Sequence, residues 1–136
     1  MPKMIFVNLP ITDPARSMKF YEALGAAKNP QFSDATTSCM VFSEAIHVML
    51  LTHKRYSDFT SRPIADTHKT SASLIALNAD SKEEVNAVIA RAAAAGGRAD
   101  PNPPQDLGFM FGRSIEDPDG HVWEYFWMDP KAVGGA

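Results

Sequence analysis

Thiol is nearly missing from this chain: Cys39 is the one cysteine in 136 residues. That excludes an internal disulfide and a zinc site built from thiolates. No apolar run reaches the ~18 residues of a membrane helix, and Asn8 and Pro10 interrupt the apolar stretch after Met4. No small-residue cleavage site follows that stretch, so no signal peptide is expected and the chain is expected to be cytoplasmic. Basic excess is missing too. Thirteen Lys and Arg stand against 16 Asp and Glu, for a net charge of −3. The first 68 residues hold 7 basic and 6 acidic groups, the last 68 hold 6 and 10. Neither half carries a basic stripe, which argues against nucleic acid and anionic membranes as partners. What remains is an ordinary globular composition, 45% apolar and 21% charged, long enough for one domain or two small modules sharing a core.

The order of elements is readable from periodicity and punctuation. Met4 to Ile11 alternates as a strand, with Val7, Leu9 and Ile11 on one side. Asp13 is a helix N-cap, Pro14 suits the first helical position, and Gly25 supplies the stop. Met18, Tyr21 and Leu24 share the apolar face between them. Three short strands are expected next, at Gln31–Ser33, Ser38–Phe42 and Ile46–Thr52, with Ser33-Asp34 and Ser43-Glu44 as turns. The polar stretch from His53 to Thr70 exceeds the ~12–15 residues of a plain loop, so it reads as a linker or flap.

The second half repeats the first. Ser73–Ala79 reads as a strand, and Ser81 with Glu84 forms a capping box. Val85, Val88, Ile89 and Ala92 make a helix face that Gly96-Gly97 ends. A hairpin follows, Gly108–Ile115 and His121–Met128, around Glu116-Asp117-Pro118-Asp119-Gly120. An offset of 68 lays Phe6-Val7-Asn8-Leu9 on Leu74-Ile75-Ala76-Leu77 and cap Asp13 on cap Ser81. An offset of 74 lays Ile46–Leu50 on Gly120–Glu124. A duplicated supersecondary unit that buries its apolar face against its copy is the physical reading.

Two segments carry a resemblance: the strand running into Asp13–Gly25, and Glu116–Glu124. In this order, within a duplicated βαβββ pattern, the chain resembles the vicinal oxygen chelate superfamily of glyoxalases, bleomycin-resistance proteins and extradiol dioxygenases. It looks most like the small glyoxalase-like proteins of bacteria. The resemblance implies an α+β fold of two βαβββ modules whose curved mixed sheets surround a shared cleft. The expected division is a single domain made of module 1–52, linker 53–70, module 71–129 and tail 130–136.

Metal-binding members of that superfamily place four ligands on equivalent strands. By the resemblance and the repeat those places fall on Phe6, Leu50, Leu74 and Glu124. Only Glu124 can hold a metal, where about three protein ligands are needed, so no metal or other cofactor is expected. Asn8, two positions from Phe6, should share the cavity face. His47 and His121 are out of phase with Leu50 and Glu124, and His53 and His68 flank the linker. Glu124 lies among Trp123, Tyr125, Phe126 and Trp127, an environment suited to a general base, although a solvated edge carboxylate is the plainer alternative. Phe126 should share its face, and Arg113 could pair with it or hold an anion. Arg113 as a surface arginine and Cys39 as a small hydrophobe are the plainer readings of those two.

The expected function is therefore a small-molecule cavity protein without the usual metal. Its cavity is lined by Phe6, Asn8, Leu50, Leu74, Arg113 and Phe126, with Glu124 as the catalytic candidate. It either binds and sequesters an apolar or aromatic ligand or does metal-free acid–base chemistry. A metal-dependent lyase, isomerase or dioxygenase would need Glu124 joined by two histidines, for example His47 or His53 with His121. A protein-interaction module with a vestigial cavity is a third reading. By the resemblance, a homodimer is expected.

Overall fold

A computed structural model describes residues 2–132; the last four residues of the expected tail, and Met1, lie outside the described residues. The first unit runs β1 (Ile5–Ile11), α1 (Pro14–Leu24), β2 (Ala27–Lys28), β3 (Thr37–Val41) and β4 (Ile46–Thr52). A short helix α2 (His53–Tyr56) leads into the long polar segment. The second unit runs β5 (Ile75–Asn78), α3 (Lys82–Ala94), β6 (Arg98–Ala99), β7 (Gln105–Asp106), β8 (Met110–Glu116) and β9 (Val122–Met128). The two mixed sheets are ordered β1-β4-β3-β2 and β5-β9-β8-β6, with β7 also on β8. In each sheet the first and last strands of the unit pair in parallel and the rest antiparallel. This is the duplicated βαβββ arrangement the sequence implies.

Local chemistry explains the elements. The Asp13 side chain accepts from the Arg16 N–H at the start of α1, and Gly25, at φ 111°, ends it as a left-handed cap that a side chain would strain. Ser81 accepts from the Glu84 N–H, and Glu84 reaches back to the Asp80 N–H. The strand expected at Gln31–Ser33 is absent. Asn29 caps a 3₁₀ turn over Pro30–Phe32 instead, because Pro30 cannot donate to a ladder and the Asn29 side chain bonds the Gln31 N–H. The first of the three strands is Ala27–Lys28, paired on β3.

Both helices lie between the sheets, and the helix-facing sides of the two units form one core. Leu9, Ile11, Val48, Leu50 and Met40 supply it from the first sheet, Ile115, Trp123 and Tyr125 from the second. Phe42 packs on Trp123 at 5.6 Å between ring centroids, and the Tyr125 hydroxyl donates to the Leu24 carbonyl at 3.0 Å. The opposite side of each sheet faces away from the helices. Period-two alternation puts Phe6, Asn8, His47 and Met49 on that side of the first sheet, and Ala76, Ser114, Glu124 and Phe126 on that side of the second.

The β8–β9 turn locks the units together. Asp117, 2% exposed, accepts from the Tyr21 hydroxyl at 2.6 Å and from the N–H groups of Asp119 and His121. Trp123 Nε1 donates to the same Tyr21 oxygen at 3.0 Å. Asp119 takes both donors of Thr12 and the Ser17 hydroxyl, satisfying groups at the start of α1. The polar segment docks on this turn, with the Thr67 hydroxyl on the Asp119 carbonyl. Gly120 makes the docking possible: a Cβ there would lie 2.6 Å from the His68 nitrogen, and its φ is +92°.

Candidate functional site

A cavity of about 490 Å³ lies over the second sheet on the side away from the helices. Glu124 stands on its floor, flanked across the strands by Ala76 and Ser114. Phe126, Met110 and Met128 add apolar wall, and the Pro103-Pro104 stretch closes one side. Glu124 is half-buried, and no side-chain hydrogen bond or ion pair among the described residues engages its carboxylate. A partnerless carboxylate beside apolar walls is costly to desolvate unless something donates to it. The site can therefore take a hydrogen-bond donor, or accept a proton.

The residues named from the sequence divide into three groups. Glu124 and Phe126 do come together. Asn8 lies on the other sheet and lines a separate cavity of about 420 Å³ between the units; Phe6, on the same open face, is 48% exposed. Leu74, 52% exposed, precedes β5 and lines neither cavity. Leu50 is a correction. It is 1% exposed in the core beside the helices, and it cannot line a cavity.

The register explains the Leu50 error. Asn8 pairs with Met49, and Ala76 with Glu124, so Met49 is the structural counterpart of Glu124 and the true offset is 75, not 74. The matching His-Val pairs misled because His121 still belongs to the turn, where its carbonyl accepts from the Asp117 N–H, whereas His47 already lies inside β4. His47 is thus on the open face of the first sheet, stacked on Phe6 at 4.4 Å and 15°, and not on the helix side.

Arg113 lines the same cavity as Glu124, but its ion-pair partner is Asp100 and not Glu124. It lies beside Tyr125, on the face opposite Glu124. Its guanidinium makes a bidentate pair with Asp100, at 2.8 and 3.1 Å, and a third bond to Asn86. It reaches the margin of the Glu124 cavity with three of its five N–H donors held by Asp100 and Asn86, and it does not pair with Glu124.

The displaced-ligand set also fails to assemble. His121 donates from Nε2 to the Pro10 carbonyl at 2.8 Å in the cavity between the units. His53 and His68 line a third hollow with Arg16 and Asp66. Among the described residues no three His, Cys, Asp or Glu side chains converge. With Phe6, Leu74 and Met49 or Leu50 at the other three places, the donor set does not fit the superfamily's metal. Cys39 is buried on β3, and burial pushes its thiol up, away from reactivity. The Tyr21–Asp117–Trp123 network escaped the sequence reading. Its signal was the Asp-Pro-Asp-Gly turn, read only as a turn and not as a source of buried carboxylate.

Residues 3–125 match the Glyoxalase/Bleomycin resistance protein/Dioxygenase superfamily, and the chain belongs to it. Among solved structures, a hypothetical protein from S. aureus superposes with a TM-score of 0.77 at 24% identity, covering 93% of this chain and 95% of that one. A glyoxalase-related enzyme from Fulvimarina pelagi gives 0.77 at 21%, covering 93% and 88%. A fosfomycin resistance protein from Listeria monocytogenes gives 0.66 at 17%, covering 93% and 91%. At these identities the likeness is one of fold. No curated protein matches the chain. Among the described residues no helix is long and apolar enough to cross a membrane.

Proposed function

We propose that this protein binds a small apolar or aromatic molecule in the cavity over its second sheet, with Glu124 as its polar anchor. The observation that carries the reading is the Glu124 carboxylate, without a side-chain partner among the described residues, on the floor of a mostly apolar hollow. Such a site selects ligands that offer a donor to the carboxylate and an apolar body to Phe126 and the methionines. The same carboxylate, free of competing donors, can act as a base toward a bound acidic proton. No step is routed through a metal.

Phenol and benzylamine, which offer donors, and benzoate, which at neutral pH offers none, test the reading. The two donors should shift the amide resonances of Ala76, Ser114 and Phe126, and benzoate should leave those three unmoved. Glu124→Gln should weaken donor binding roughly tenfold while the fold persists. If a substrate that loses a proton is turned over, Glu124→Gln should abolish turnover, which assigns the base role. Donor affinities unchanged by Glu124→Gln would sink both versions.

The reading includes a homodimer of single-domain chains. Met4, Ile5, Phe6 and Leu74 are each about half exposed along the edge strands of the two sheets, and pairing would cover them. Light scattering at micromolar concentration should give about twice the chain mass; a monomer would refute this part.

A further inference from the structure

The geometry points to a second ligand site, for a small organic anion, in the cavity between the two units. That cavity, about 420 Å³, has β1 on one side, Ile75 and Val122 on the other, and the segment after α2 across it. Its lining contains no Asp or Glu, in a chain that carries 16 of them and a net charge of −3. It does contain Arg62 and the polar residues Tyr56, Asn8, Ser71 and Ser73.

Arg62 stands apart from the other five arginines. Arg16 pairs with Asp119, Arg55 with Asp58, Arg98 with Glu116 and Arg113 with Asp100, while Arg91 donates to the Ala23 carbonyl. Among the described residues only the Arg62 guanidinium has no hydrogen bond or ion pair; its backbone N–H alone is bonded, to Thr60. A guanidinium is always charged and presents a fork that fits carboxylate and phosphate. The His121 ring, held by its Nε2 donation to the Pro10 carbonyl, forms part of the same wall. Ile64, Ile75 and Val122 give an apolar flank. The shared chemistry is one anionic head, carboxylate or phosphate monoester, on an apolar body. This site is independent of Glu124, which lines the other cavity.

The test titrates the full chain with benzoate, phenyl phosphate and the neutral control benzyl alcohol, following amide resonances and calorimetric affinity. One or both anions should shift Ile75, Gly120 and Val122 together with residues 62–73, and their relative affinities identify the preferred head group. Read at Ile75, Gly120 and Val122, benzyl alcohol, whose hydroxyl also suits the Glu124 cavity, should bind at least tenfold more weakly. Arg62→Gln should weaken anion binding roughly tenfold or more, and Arg62→Lys should restore part of it. Arg62 is exposed, so neither variant endangers the fold. Glu124→Gln should leave the anion affinity unchanged, which keeps this site's failure separate from that of the Glu124 cavity. Equal affinity for benzyl alcohol at Ile75, Gly120 and Val122, an Arg62→Gln affinity equal to the parent's, or anion shifts confined to Ala76, Ser114 and Phe126 would each overturn the inference.

Discussion

Tyr21→Phe removes one oxygen from the centre of the lock between the units. The ring stays, with its edge-on contacts to Phe20 at 5.1 Å and Trp123 at 5.7 Å, so packing is nearly conserved. Two buried bonds go. The first is the 2.6 Å donation to the Asp117 carboxylate, a charge-assisted bond worth about 1.5–3 kcal/mol. The second is the acceptor of Trp123 Nε1, and an orphaned buried donor costs about 1–3 kcal/mol. The two are coupled through one oxygen, so the sum is an upper bound, and about 3 kcal/mol is the expected loss.

For a chain of this size that corresponds to a fall in Tm of about 10 °C. Tyr125→Phe is the internal control. Its hydroxyl makes a single neutral bond to the Leu24 carbonyl, and its loss should cost only about 1 kcal/mol. Urea unfolding and calorimetry of the two variants and the parent provide the measurement. A Tyr21→Phe loss equal to or smaller than that of Tyr125→Phe would show that the Asp117 network does not hold the units together.

Alkali offers a second check. Burial pushes both Tyr21 and Tyr125 well above the ordinary phenol range, and Asp117 raises Tyr21 further. A group with a raised folded pKa gives stability that is present below its unfolded value and lost as pH rises toward the folded one. Stability should therefore fall above about pH 10, and the fall should flatten in the Tyr21→Phe, Tyr125→Phe double variant; parallel curves would contradict it. Gly120→Ala should loosen the docked segment, since its Cβ would meet the His68 backbone at 2.6 Å and its φ is positive. Limited proteolysis should then cut between residues 57 and 73 faster than in the parent, with a stability loss of about 1–3 kcal/mol; unchanged cleavage would argue against docking through Gly120.

Much of the fold was legible because its signals are local. Asp13 before Pro14, Gly25, the Ser81–Glu84 box and the Asp-Pro-Asp-Gly turn each fix a boundary by chemistry within four residues. The alternation of Trp123, Tyr125 and Trp127 with Glu124 and Phe126 correctly assigned the two faces of β9. The 3₁₀ turn at Pro30 was missed because a β-rich composition outweighed one capping asparagine. The site was less legible, because a cavity is made by residues distant in sequence. Nothing local says that Arg113 meets Asp100 across the β6–β8 edge, or that Asp117 accepts from Tyr21 96 positions away. Nor does alternation within one strand say which sheet's open face it shares, which is why Asn8 and Glu124 were grouped and the structure separates them.

The one-residue register error can itself be put to the test. If Leu50 faced a cavity, as the 74-residue offset implies, a carboxylate there would be tolerated and Met49 would be the core residue. The pairing of Asn8 with Met49 and Leu9 with Leu50 reverses this. Leu50, 1% exposed among Leu9, Val48 and the helices, has no donor to offer a charge, and Leu50→Glu should cost several kcal/mol through desolvation and lost apolar burial. Met49 is half-buried on the open face, so Met49→Glu can turn its carboxylate toward water, at a cost of about 1 kcal/mol. Leu50→Glu should be unfolded or strongly destabilised in circular dichroism and urea unfolding, while Met49→Glu keeps a cooperative transition. The reverse order would mean that β4 is shifted by one residue, because a single-step slip exchanges every side chain between the two faces.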